Sequence, residues 1–216
     1  MENRWIQNQI AIYMTNKKLV EFNDKLKPAP IEYYAHIHAQ GEKVGDGSRP
    51  RSCIGMVLQD YSNGTGEKTV RVMANLSPEF FRYALSRVQL GVEQFEFTED
   101  KIFGQPDDNG MSYVTKVSIK RASVDKNGRP RNYPWCVMVE NGRGVKETTQ
   151  TVVIHMKKGS YVKGPFVFVN ISDYDFFTLM VQTCRYIEAW ELTNGPKRIR
   201  EAKQLIAEQQ AAQTNA

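Results

Sequence analysis

The chain has 216 residues, 41% hydrophobic and 25% charged, with a formal net charge of +5. That is an ordinary globular balance, long enough for one large domain or two small ones and for a sizeable core, and its modest basic excess favours anionic partners. Cys53, Cys136 and Cys184 are odd in number and form no C-x-x-C pair, which excludes a readable disulfide framework or zinc knuckle and points to a reducing, intracellular compartment. The first residues lack the apolar core of a signal peptide and no apolar run approaches a membrane span, so a cytoplasmic protein without a membrane partner is expected.

In chain order, residues 1–20 fit either a strand or a short helix, with Trp5, Ile6, Ile10, Ile12 and Tyr13 as apolar points. Residues 31–39 read as a strand and 40–51 as a Gly-rich basic loop. Strand 52–59 and return strand 68–75 flank the turn residues Ser62 to Gly66. Ser77 then caps a helix over 78–90, with Pro78 at its first position and Gly91 as its stop. Residues 95–110 read as irregular. Strand 111–122 alternates Tyr113, Thr115, Val117 and Ile119 with Ser112, Lys116, Ser118 and Lys120, the pattern of a sheet with one wetted face. Strand 133–140 follows, Asn141-Gly142-Arg143-Gly144 reads as a hairpin turn, and strand 147–157 returns. Strand 162–170 leads into helix 173–192, capped by Ser172, with Asp173 and Asp175 suited to the positive end of its dipole. After Asn194-Gly195-Pro196, residues 197–213 read as a separate, peripheral helix.

One phrase recurs. Residues 70–81 are V-R-V-M-A-N-L-S-P-E-F-F and residues 167–177 are V-F-V-N-I-S-D-Y-D-F-F. A strand-to-helix corner present twice points to an internal duplication. With strands followed by a single helix in each half, the expected fold is α+β. It is a duplicated antiparallel ββββα unit forming one pseudo-symmetric domain over 1–192, with units 1–92 and 93–192, plus a C-terminal helical tail over 193–216. Phe80, Phe81, Phe176 and Phe177 are expected core anchors at the two corners.

No phosphate-binding glycine loop, dinucleotide fingerprint or nucleophile elbow is present, so a non-enzymatic protein with no cofactor and no metal is expected. His36 and His38, two apart on the expected strand, share a side and form the one candidate acid-base or metal pair. Asp107-Asp108-Asn109-Gly110 has the wrong spacing for a calcium loop and reads as a turn. Cations and rings, by contrast, interleave along the strands of the second half. Arg71, Lys116, Lys120, Arg129, Arg131, Arg143, Lys146, Lys158 and Lys163 are expected to hold phosphates. Tyr133, Trp135, Tyr161 and Tyr34 are expected to stack bases, since single strands are bound by cationic grooves and aromatic faces.

On its doubled corners, Asn75-Leu76-Ser77 with Phe80-Phe81 and Asn170-Ile171-Ser172 with Phe176-Phe177, the chain resembles the Whirly proteins and the related positive-cofactor-four coactivators. The resemblance covers the layout of residues 1–192. Of the Whirly Lys-Gly-Lys-Ala motif, only Lys163-Gly164 matches, and in the second half. The resemblance implies an oligomeric protein that binds single-stranded DNA, with RNA the alternative, on strand surfaces and with little sequence preference. A short basic chain without an enzyme motif is also similar to accessory proteins of bacterial mobile elements. The competing expectations are a structural or assembly protein of a phage or conjugative element, and an enzyme using His36 and His38.

Overall fold

The computed structural model describes residues 6–148 and 154–214. It is a mixed α+β fold with two antiparallel four-stranded sheets and a long C-terminal helix. Strands β1 (Gln9–Met14), β2 (Lys18–Lys25), β3 (Cys53–Asp60) and β4 (Val70–Leu76) form the first sheet in that order, and helix α1 (Pro78–Gln89) follows. The second sheet is built from β5 (Gln94–Phe103), β6 (Ser112–Ala122) and β7 (Trp135–Gly144). The short hairpin β8 (Lys146–Thr148) and β9 (Ile154–Met156) comes next, before β10 (Phe166–Ile171) completes the sheet in the order β10-β7-β6-β5. Helix α2 (Asp173–Thr214) ends the fold. Among the described residues no helix is long and apolar enough to cross a membrane.

Alternation along the strands sets the core. Val20, Phe22, Ile54, Met56, Leu58, Val72 and Leu76 point inward from the first sheet, and Val117, Ile119, Val137, Val139, Val167 and Val169 from the second. Both strand-to-helix corners are capped: Ser77 accepts from the Phe80 N–H at 3.4 Å and Ser172 from the Asp175 N–H at 3.1 Å. Phe80, Phe81 and Phe176 are buried beneath these caps. Phe177 is not; it lies on the solvent side of α2 and is no core anchor.

Four local expectations are corrected. Residues 31–36 form a 3-10 turn instead of a strand. Pro28 and Pro30 bring no amide donors to a ladder, and the Tyr33 N–H bonds back to the Pro30 carbonyl at 2.9 Å. The stretch read as irregular contains β5, whose length of 10 residues makes it a long edge strand. Asn141 to Gly144 are not a turn but the end of β7, paired across to β6 as far as Gly144. The helix does not stop at Gly195-Pro196, since α2 runs through both. Its continuation is held to the body where Arg198 donates to the Ala29 carbonyl at 3.0 Å and Ala202 is buried. The expected strand 147–157 is found only as β8 and β9; residues 149–153, like Trp5, lie outside the described residues.

The glycines at the end of β7 and before β10 serve close approach, not chain reversal. A Cβ on Gly142 would meet the Val162 carbonyl oxygen at 2.5 Å, and one on Gly164 would meet the Asn141 carbonyl oxygen at 2.0 Å. Gly164→Ala therefore cannot be accommodated by a rotamer change, because the obstacle is backbone. The expected outcome is a loss of at least about 2 kcal/mol in urea unfolding, the range for backbone-displacing substitutions. An unchanged midpoint would mean that segment 161–165 does not pack over β7.

Candidate nucleic-acid interface

The second sheet is longer than the first sheet that covers it, and the uncovered part is where the candidate interface lies. Its inner face carries, row by row, Phe97-Ile119-Val137, then Glu99-Val117-Val139, then Lys101-Thr115-Asn141, then Phe103-Tyr113-Arg143. The third row is where the edge of β4 crosses. Asn141 accepts from the Met73 N–H and donates to the Met73 carbonyl, both at 2.8 Å. Lys101 Nζ donates to the Asn75 carbonyl at 2.7 Å. These contacts satisfy the exposed edge of the first sheet, which would otherwise offer bare backbone groups. The fourth row projects past that edge into solvent, and a bridge from Arg143 to Val162 extends it.

On this row Tyr113 is 51% and Phe103 49% exposed. Their rings are nearly parallel, at 20° and 6.1 Å between centroids. The Arg143 guanidinium lies over Tyr113, 3.7 Å from the ring centroid. Arg143 also approaches Asp107 at 3.5 Å, and Lys146 Nζ donates to the Gly104 carbonyl beside the row. On the first sheet, Lys25 Nζ meets Asn75 Oδ1 at 3.0 Å, so Lys25 and Lys101 converge on one asparagine at the same edge. Arg71 stands exposed on the outer face of β4 and has no ion pair among the described residues.

Of the residues expected from sequence to bind, the structure brings Arg143 and Lys146 together here. Arg129, Arg131 and Tyr133 sit on the β6–β7 connection at the opposite end of the sheet, about 33 Å away along the 11 residues of β6. Lys158 is in an exposed turn beyond β9. The lysine stripe of β6 does lie on the solvent face, but cross-strand acids balance it. Lys120 pairs with Glu96 at 2.8 Å and Lys116 with Asp100 at 3.6 Å; in the segment before β10, Lys163 approaches Glu140 of β7 at 3.7 Å.

One stacking assignment is corrected. Trp135 is fully buried, stacked on Phe176 at 3.8 Å, and its indole N–H donates to Asp173 at 2.8 Å. No base can reach it. Tyr161 is half-buried, with Lys116 3.9 Å above its ring and its hydroxyl donating to Glu140. Burial, reinforced by that acceptor, pushes its phenol well above the ordinary range. Tyr34 is half-buried in the 3-10 turn rather than set on a strand.

The sequence did not single out Phe103 or Tyr113 as site candidates. The signal for Phe103 was the period-two run Phe95, Phe97, Lys101, Phe103 hidden in the stretch read as irregular. Tyr113 was placed on the correct side of β6, but that side becomes wet once the first sheet ends.

His36 and His38 do not share a site. His36 is exposed and bonds Glu42 at 2.7 Å, which holds the Glu42 carboxyl down to about 2. His38 is buried against Trp190, with Nδ1 2.8 Å from Ser52 Oγ and Nε2 2.8 Å from Glu191. Glu191 also takes Arg82 at 2.5 Å. Burial opposes its ionisation, but the hydrogen bonds from Arg82 and His38 outweigh this and keep its carboxyl below the usual range. This chain of contacts ties the 3-10 segment to both helices. Among the described residues no group of three or more His, Cys, Asp or Glu is arranged to hold a metal.

No family model matches the chain and no curated protein matches it. Among solved structures, one described as the plant transcriptional regulator PBF-2 aligns over 89% of this chain and 96% of its own, with 10% identity and a TM-score of 0.42.

Proposed function

We propose that the protein is a non-enzymatic single-strand binder, with DNA as the ligand and little sequence preference, and that the Phe103-Tyr113-Arg143 row is its base-contact platform. The observation that carries this reading is the exposed Tyr113 ring, already stacked by Phe103 on one strand and Arg143 on the next. An aromatic surface on an open sheet accepts any base, because every base has a π-face. Lys146, Lys25 and Arg71 border the same edge and supply cations for phosphates, while Lys101 is already paired with Glu99 at 2.8 Å. The duplication belongs to the same reading. It is supported by two four-stranded sheets whose last strands each run into a Ser-capped helix. Oligomerisation is supported by exposed Tyr83 on α1, Leu90 at its C-terminal cap, and Tyr174 and Leu192 on α2, apolar groups on or beside helix surfaces.

The test is a salt titration with fluorescently labelled oligo-dT. Three phosphate contacts imply a slope of log K against log salt of about −2, at roughly 0.7 per contact for single strands. Oligo-U in parallel separates DNA from RNA. No binding at low salt sinks the proposal. It would then favour a second reading, an assembly protein, for which the motivating observation is the apolar outer face of the first sheet, where Ile12, Met14 and Met73 are exposed.

A further inference from the structure

The loop between β5 and β6 carries a carboxylate aimed at the platform. Its backbone folds back on itself: the Asp107 N–H bonds the Met111 carbonyl at 2.9 Å and the Gly110 N–H bonds the Asp107 carbonyl at 2.8 Å. Asp107 Oδ1 accepts from the Asn109 and Met111 N–H groups, each at 3.0 Å. With one oxygen held by the loop, the other, Oδ2, lies 3.5 Å from the Arg143 guanidinium that covers Tyr113. The carboxylate thus occupies an anion position beside a stacked aromatic, as the phosphate of a nucleotide would.

We infer that Asp107 is an internal stand-in for phosphate, which a bound strand must displace from Arg143, so that this loop sets the affinity and salt sensitivity of the interface. The inference rests on the proposed single-strand binding. Both side chains of the pair are 35% exposed, so the pair is weak enough to exchange and tunes binding without blocking it. Asp108 is the neighbouring acid and has no ion pair among the described residues, which makes it the control for general charge repulsion.

The experiment compares oligo-dT binding by the wild type, Asp107→Asn, Asp108→Asn, Arg143→Met and the Asp107→Asn/Arg143→Met double variant. Asparagine keeps the Oδ1 acceptor that the loop uses, so Asp107→Asn preserves the turn. The expected result is about 2- to 5-fold tighter binding by Asp107→Asn, with a salt slope steeper by about 0.7 as one more contact counts in full. The gain should vanish in the Arg143→Met background. An Asp107→Asn affinity equal to wild type, or a gain matched by Asp108→Asn, overturns the inference and leaves single-strand binding standing. If neither wild type nor Asp107→Asn retains the oligonucleotide, single-strand binding itself is overturned and the inference goes with it.

Discussion

Trp135→Ala is expected to cost about 3–5 kcal/mol in chemical denaturation, the range for removing a large buried aromatic, against a total of about 5–15 kcal/mol for a typical domain. The indole fills the junction of the second sheet and α2, with Phe176 at 3.8 Å on one side and Phe95 at 5.4 Å on another. Its N–H also fixes Asp173 at the start of the helix, where a negative charge favours the dipole. Trp135→Phe keeps most of the packing and loses the hydrogen bond, so about 1–2 kcal/mol is expected. Arg121 first, then the indole, hold the Asp173 carboxyl below its usual range against the burial that opposes them. The stability this adds is present above the unfolded value of about 3.9 and is lost as pH falls through the lowered folded value. In Trp135→Phe that acid-side loss should shift to higher pH. A Trp135→Ala protein with wild-type stability but no oligonucleotide binding would return the residue to the interface.

Trp135 also marks where sequence reading reaches its limit. Its neighbours Val137 and Val139 gave the strand by alternation, and the period placed all three in register. Alternation cannot say which rings are buried, because both faces of a strand look alike until the partner layer is known. The same ambiguity ran the other way at Tyr113, whose side of β6 is core at Val117 and Ile119 but wet at its end. The two capped corners were legible because a cap is local chemistry: a Ser side chain, an orphan amide and an apolar residue beneath. At Asn141-Gly142 local chemistry misled. An Asn-Gly pair signals a turn, yet Gly142 is there to admit the crossing segment at Tyr161 and Val162, a contact from 20 residues further along the chain. The charge balance of the β6 stripe was equally out of reach, since its acids come from β5, which had not been read as a strand.

Tyr113→Ala is expected to weaken oligo-dT binding about 5- to 150-fold, the span of one lost stack at roughly 1–3 kcal/mol, with little change in folding because the ring is half in solvent. Tyr113→Phe keeps the π-face and should bind within a factor of about two of wild type, which separates stacking from any role of the hydroxyl. Phe103→Ala should fall between them, since it supports the Tyr113 ring from the neighbouring strand at 6.1 Å. Lys120→Gln provides the contrast. That lysine already faces Glu96 at 2.8 Å, so a phosphate gains little from it beyond what the carboxylate gives up. The comparison decides between the two faces of the second sheet. A large loss in Tyr113→Ala with an unchanged Lys120→Gln places the strand on the projecting inner face. The reverse pattern places it on the outer lysine stripe, where acids from β5 stand beside the lysines.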